Sequence, residues 1–118
     1  MDKKIKLEQG GIYLGALDPA KHAEIGKIRP VIILSAPLIL QLHPGLIFIC
    51  PLSSKSNSNY SALHVELPLR ERLEKNSYAL IEHCQAISVR RIKSHRMAQL
   101  NEYELSVILS KLKHMVGL

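Results

Sequence analysis

From Pro30 to Ser54 the chain carries no charged side chain, and that span constrains the fold more than any other. Roughly 20 consecutive apolar residues would cross a bilayer as a helix. Here Pro37, Pro44, Pro51 and Gly45 interrupt the run, and Gln41 and His43 lie within it. Proline removes a backbone donor and clashes with the preceding turn, so this punctuation breaks a helix. The span reads instead as two buried strands, about Pro30 to Ser35 and Leu46 to Leu52, joined by an excursion with room for one short helical turn. No membrane segment is expected.

The flanking residues extend this pattern. Gly11 to Leu17 alternates like a strand, and a polar loop from Asp18 to Lys27 leads to Arg29-Pro30. After the second buried strand comes the polar loop "SSKSNSNYS". Ala62 to Leu67 alternates again, "PLRERLEKNS" reads as a charged turn with room for one helical turn after Pro68, and a further strand covers about Tyr78 to Glu82, with the chain running on to Ile87. The closing segment is a helix. Asn101 and Glu104 have capping-box spacing, and Leu105, Ile108, Leu109, Leu112 and Val116 share one face. The fold class is mainly β with helices (α+β): a small, strongly curved antiparallel sheet or barrel with a C-terminal helix. Residues 1–9 read as a flexible arm and 10–118 as one domain.

With no Trp and one Phe, the core must be aliphatic, and no aromatic platform is available for stacking bases. The net charge of +6 points to an anionic partner, either a nucleic acid or an acidic protein. Cys50 and Cys84, far apart in sequence, fit core thiols better than a disulfide or a metal site. The opening "MDKKIKLEQGG" lacks the apolar region of a secretory signal, so a cytoplasmic location is expected. His43, His64, His83, His95 and His114 share no ligand-like spacing and read as structural or surface residues; no metal and no cofactor are expected.

The chemistry gathers at two strand ends. Arg29 sits where the polar loop meets a rigid strand, and Ser53 and Ser54 leave the end of another. A guanidinium fork matches phosphate oxygens bidentately, and a hydroxyl can donate to the same phosphate. A fixed cation beside a fixed hydroxyl in a basic protein reads as a phosphodiester site. Taken singly, Arg29 also fits a surface ion pair with Glu24, and the two serines also fit a plain turn. A serine-hydrolase reading lacks any Gly-x-Ser-x-Gly elbow.

These residues carry a resemblance. Gly11, Tyr13, Asp18, Pro19, Glu24, Gly26, Arg29 and Pro30, then Pro51, Ser53 and Ser54, and more loosely Gln85, Ile87 and Arg90 or Arg91, are similar to the motifs of the MazF/PemK/Kid toxins. These are the ribonuclease halves of type II toxin–antitoxin pairs. His22 stands where the family usually has Gly, Ser53 where it has Thr, and Cys84 where it has an acidic residue.

The resemblance implies an SH3-like barrel of the MazF/PemK/CcdB type, found as a homodimer. It implies a metal-independent, sequence-selective endoribonuclease that cuts single-stranded mRNA by 2′-OH attack. The products would be a 2′,3′-cyclic phosphate or 3′-phosphate and a 5′-OH. It also implies a cognate antitoxin with an acidic disordered tail. Arg29 and Ser53 are then the catalytic candidates: Arg29 stabilises the phosphorane and protonates the leaving oxygen, and Ser53 fixes the phosphate. His22 is either a general base for the 2′-OH or a solvated loop residue. Glu24 either orients Arg29 or accepts from a base edge. Lys27, Ser54, Lys55 and Gln85 are candidates for RNA contact. The cationic run from Arg90 to Arg96 is either a solvated face or a surface for RNA or antitoxin. The rival reading is a non-catalytic toxin of the same fold, a gyrase poison of CcdB type or an RNA-binding module. The absence of Trp and the ending Val116-Gly117-Leu118 count against the gyrase poison, whose relatives share a Trp-Gly-Ile tail.

Overall fold

The computed structural model describes residues 5–17, 27–56 and 59–118. Its elements are β1 (Gly11–Leu17), β2 (Lys27–Ile33), α1 (Pro37–Gln41), β3 (Leu46–Ser53), β4 (Val65–Leu67), β5 (Ser77–Ala79), β6 (Gln85–Ser88), β7 (Ala98–Gln99) and α2 (Glu102–Met115). The strands form one curled antiparallel sheet in the order β4-β5-β3-β2-β1-β7, with β6 also pairing with β3.

β3 is the hub. Along one edge it meets β2 through Val31–Pro51, Ile32–Cys50 and Ile33–Ile49. Its other edge meets β6 from Leu46–Ser88 to Ile49–Gln85, and then β5 through Leu52–Ala79 and Ser53–Tyr78. Successive side chains on a strand point to opposite faces, and here both faces are buried. Ile12, Ile32, Cys50 and Leu52 enter one core with Leu67, Ile81 and Ile108 of α2. Tyr13, Val31, Ile33, Ile47 and Ile49 enter a second core with Ile87 and Ile92. Two buried faces explain why the sequence there is continuously apolar instead of alternating. Each of these isoleucines contributes roughly 1.5–3 kcal/mol by burial.

α2 begins as its sequence predicts. The Asn101 side chain accepts from the Glu104 amide, and the Glu104 carboxylate accepts from the Asn101 amide. Leu105, Leu109 and Leu112 pack against the first core with Ile108. Val116 does not: it lies past the helix end and is exposed.

Several other expectations need correction. β2 starts at Lys27, before Pro30, because β1 supplies partners as far as Leu17–Lys27. Residues Ser61–Leu63 form a 3-10 turn, leaving only three residues for β4. No helical turn follows Pro68; Arg70 and Leu73 form a bridge instead, and the Leu69 amide donates to the Asn76 side chain. The strand expected from about Tyr78 to Glu82 ends at Ala79, because a 3-10 turn at Ile81–His83 redirects the chain, which then pairs with a different part of β3 as β6. Residues 5–9 of the expected arm lie on the sheet. The buried Tyr13 hydroxyl donates to the Lys6 carbonyl and accepts from the Glu8 amide, and Gln9 donates to the Leu34 carbonyl. Gly10 makes the turn into β1 with φ 82°, where a side chain would be strained.

Candidate active site

The antiparallel pairing of β2 with β3 ends at Val31–Pro51, two residues short of each catalytic candidate, Arg29 on β2 and Ser53 at the end of β3. Arg29 Nη1 donates to the Leu52 carbonyl at 3.3 Å, which holds the guanidinium at the end of β3. The Ser53 hydroxyl accepts from the Lys55 amide at 3.1 Å. A hydroxyl used as acceptor in such a turn keeps its own hydrogen for donation to a ligand.

Both residues line an open cleft of about 510 Å³ with Ser54 and Lys55. The lining also takes Arg72, Leu73, Glu74 and Lys75 from the turn between β4 and β5, Ser77 at the start of β5, and Met97. The Arg72 amide donates to the Met97 carbonyl at 3.1 Å, tying that turn to the segment before β7. The cleft therefore holds Arg29, Lys55, Arg72 and Lys75 against Glu74. Sequence reasoning saw "RERLEK" only as a charged turn. The local signal was charge alone; pairing of β4 with β5, and of β5 with β3, is what carries it to the cleft.

The remaining candidates fall elsewhere. Lys27 is exposed at the start of β2 with φ 67°, a left-handed conformation costly for a residue with a side chain. Gln85 pairs with Ile49, four residues back along β3 from Ser53, and its amide donates to the His83 carbonyl. It is not among the described residues lining the cleft. His22 and Glu24 lie outside the described residues, as do Asp18, Pro19 and Gly26. Of the cationic run, Arg91 donates to the Ala16 carbonyl at 3.0 Å and Arg96 pairs with Glu8 at 2.6 Å, so part of its charge is used within the chain.

Behind the loop that leaves β3 lies a polar cluster. The Ser56 hydroxyl is 2.6 Å from His64 Nδ1, and His64 Nε2 is 2.8 Å from the Glu82 carboxylate. His64, read from sequence as structural or surface, is a buried member of this chain of hydrogen bonds. Cys50 and Cys84 are free thiols despite lying near one another. Burial first, and then the Cys84 thiol beside it, push the Cys50 thiol well above its ordinary range, so it stays protonated. No group of three or more potential metal ligands occurs among the described residues. No helix there is long and apolar enough to cross a membrane.

A model of the PemK-like, MazF-like toxins of type II toxin–antitoxin systems matches residues 8–116. The chain belongs to that family. Solved structures agree in fold across nearly the whole toxin. MazF from Deinococcus radiodurans is 22% identical, with a TM-score of 0.79, covering 98% of this chain and 100% of that one. The Mycobacterium tuberculosis toxin MazF-mt6 is 18% identical at a TM-score of 0.72, covering 92% and 97%. A mycobacterial endoribonuclease, solved in complex with its cognate antitoxin, is 14% identical at 0.72, covering 93% and 94%. As in the sequence reading, this toxin is mainly β with a C-terminal helix; its sheet curls into a half-barrel.

Proposed function

We propose that this toxin is a metal-independent endoribonuclease that cuts single-stranded RNA at the Arg29–Ser53 cleft. The observation that carries the reading is a cleft lined by Ser53, by a guanidinium hydrogen-bonded to the end of β3 and by three further cations. The substrate's 2′-OH attacks the adjacent phosphorus and the 5′-oxygen leaves, giving a 2′,3′-cyclic phosphate or 3′-phosphate and a 5′-OH. Arg29 stabilises the extra charge on the phosphorane and donates a proton to the leaving oxygen. Ser53 donates to a non-bridging oxygen and fixes the phosphate. Preorganised donors of this kind lower a barrier because they need no reorganisation as charge develops. A guanidinium holds its proton too firmly to serve as the base; His22 is the sequence candidate for that role, and Glu24 the candidate to orient Arg29 or accept from a base edge. Lys27, Ser54, Lys55 and Gln85 contact RNA.

The working unit is a homodimer in the cytoplasm. Leu38, Leu42 and Leu46 are 69%, 70% and 62% exposed on α1 and the opening of β3, with Ile39 and Phe48 beside them in the chain. A lone soluble domain rarely leaves so many large apolar side chains together in water. The inhibitor is an antitoxin whose acidic, disordered tail orders on the cleft and sets carboxylates where phosphates would lie. Hydrogen exchange on titrating the acidic peptide checks this: protection should include Ser53 to Tyr60, and protection confined to distant surfaces with RNA still bound rejects it.

The decisive experiment is to incubate the pure protein with a long RNA in EDTA and map the new 5′ ends. Discrete cuts with 5′-hydroxyl ends support the reading. Activity that vanishes in EDTA and returns with magnesium or zinc rejects it.

A further inference from the structure

The segment Ser54 to Ser56 follows the end of β3 and precedes the 3-10 turn at Ser61, so it has no strand to hold it. It nevertheless supplies the cleft with Ser54 and Lys55, and the Lys55 amide orients the Ser53 hydroxyl. Its far end is held by the short Ser56–His64 bond. His64 is in turn fixed from behind by both oxygens of Glu82, at 3.0 and 2.8 Å. The His64 and Glu82 side chains are only 3% and 10% exposed. A carboxylate accepts only, so Nε2 carries a hydrogen towards Glu82. On the other side of the ring, Nδ1 and the Ser56 hydroxyl share a hydrogen bond. Three separate parts of the chain are joined: the loop after β3, the residue before β4, and the 3-10 turn after β5.

A buried ion-pair-like contact gives little net stability over apolar residues of the same volume. The core beside it is well filled by Leu67 and Ile81 without it. What this contact adds is direction, because a hydrogen-bonded ring fixes the serine it holds. Ser56 itself is not among the described residues lining the cleft, so it is not placed as a second nucleophile.

We infer that Glu82 and His64 form a latch that, through Ser56, holds the Ser53–Ser56 segment in its working position at the cleft. His64 is thus a positioning residue, acting on Ser53 and Lys55 through the loop. The catalytic part of the inference rests on the ribonuclease reading above; the mechanical part does not.

The test uses Ser56→Ala and Ser56→Thr in the full chain. Ser56 lies outside both cores, so the melting curve serves as a control for folding. Displacing a reacting group by about 1 Å can cost up to about 100-fold. A loosened loop should therefore lower kcat for RNA cleavage by about tenfold, with KM changed less than about twofold. Backbone amide relaxation should report greater motion at Ser54 to Ser56 in Ser56→Ala, and Ser56→Thr should restore both rate and rigidity. Wild-type kcat in Ser56→Ala overturns the catalytic part. Unchanged amide motion overturns the latch itself. If the wild-type protein cuts no RNA, the ribonuclease reading fails, and the relaxation data on the free protein still decide the latch.

Discussion

Arg29 reaches across from β2 to the carbonyl of Leu52, the residue immediately before Ser53. The guanidinium is thereby referenced to the same strand that carries the hydroxyl. One of the five guanidinium donors is thus directed at β3. The other donors remain to share among a ligand and the contacts Arg29 makes within the protein.

Removing this cation should stop cleavage without unfolding the chain. Arg29→Ala should lose at least about 100- to 1,000-fold in kcat, the usual effect of deleting a preorganised donor. Arg29→Lys should also be poor, since a point charge cannot fork. Cleavage assays alongside circular dichroism decide it; more than a tenth of wild-type activity in Arg29→Ala would remove Arg29 from the mechanism.

At position 53 the donor should matter more than its size. Ser53→Thr keeps the hydroxyl and should remain active. Ser53→Ala should slow cleavage by roughly 10- to 100-fold, within the range for one neutral donor. Equal rates in both variants would reduce Ser53 to a turn residue.

The attacking group should belong to the substrate. An RNA with one 2′-deoxy nucleotide on the 5′ side of the cut should bind but resist cleavage there. Gel analysis showing an unaltered cut at that position would rule out 2′-OH attack.

The cations of the β4–β5 turn should act on binding rather than on chemistry. Arg72→Ala and Lys75→Ala should weaken RNA affinity broadly across sequences, and each should lower the slope of log affinity against log salt by about 0.7. Salt titrations by fluorescence anisotropy measure this; an unchanged slope in both variants would take the turn off the RNA path.

The Arg70–Glu104 pair predicts an acid-sensitive part of stability. Arg70 grips the carboxylate with two nitrogens at 2.5 and 2.6 Å, and hydrogen bonding from Arg70 is the main cause that lowers the Glu104 pKa below its ordinary value. The unfolded carboxyl titrates near its ordinary value of about 4.3. The stabilisation is therefore present above that pH and is lost as pH falls through the lower folded value. Urea unfolding should show Glu104→Gln less stable by about 1–3 kcal/mol near neutral pH, with the gap closing in acid. A gap that stays constant down to about pH 2 would show that charge is not the cause.

Much of this was legible in the sequence. Gly11–Leu17 was bounded correctly because alternation and the following Asp-Pro mark both ends. Arg29 and Ser53 were nominated together, and both line one cleft because β2 and β3 are neighbouring strands. The strand from Tyr78 was carried too far, to about Glu82, because a tight 3-10 turn with a buried isoleucine has the composition of a strand. Arg72, Lys75 and the Ser56–His64–Glu82 chain were invisible for a different reason. Their meaning lies in contacts across 8 to 25 residues or more, and no local period reports those.

β3 feeds alternate side chains into two opposed cores and ends in Ser53. A slip of one residue in its pairing with β2 would turn its apolar side chains to the wrong faces and shift Ser53 relative to Arg29. On the ribonuclease reading proposed above, misfolding and disarming are the same event, and a chain emerging from the ribosome is harmless to its host until the β2–β3 ladder has closed in its one permitted alignment.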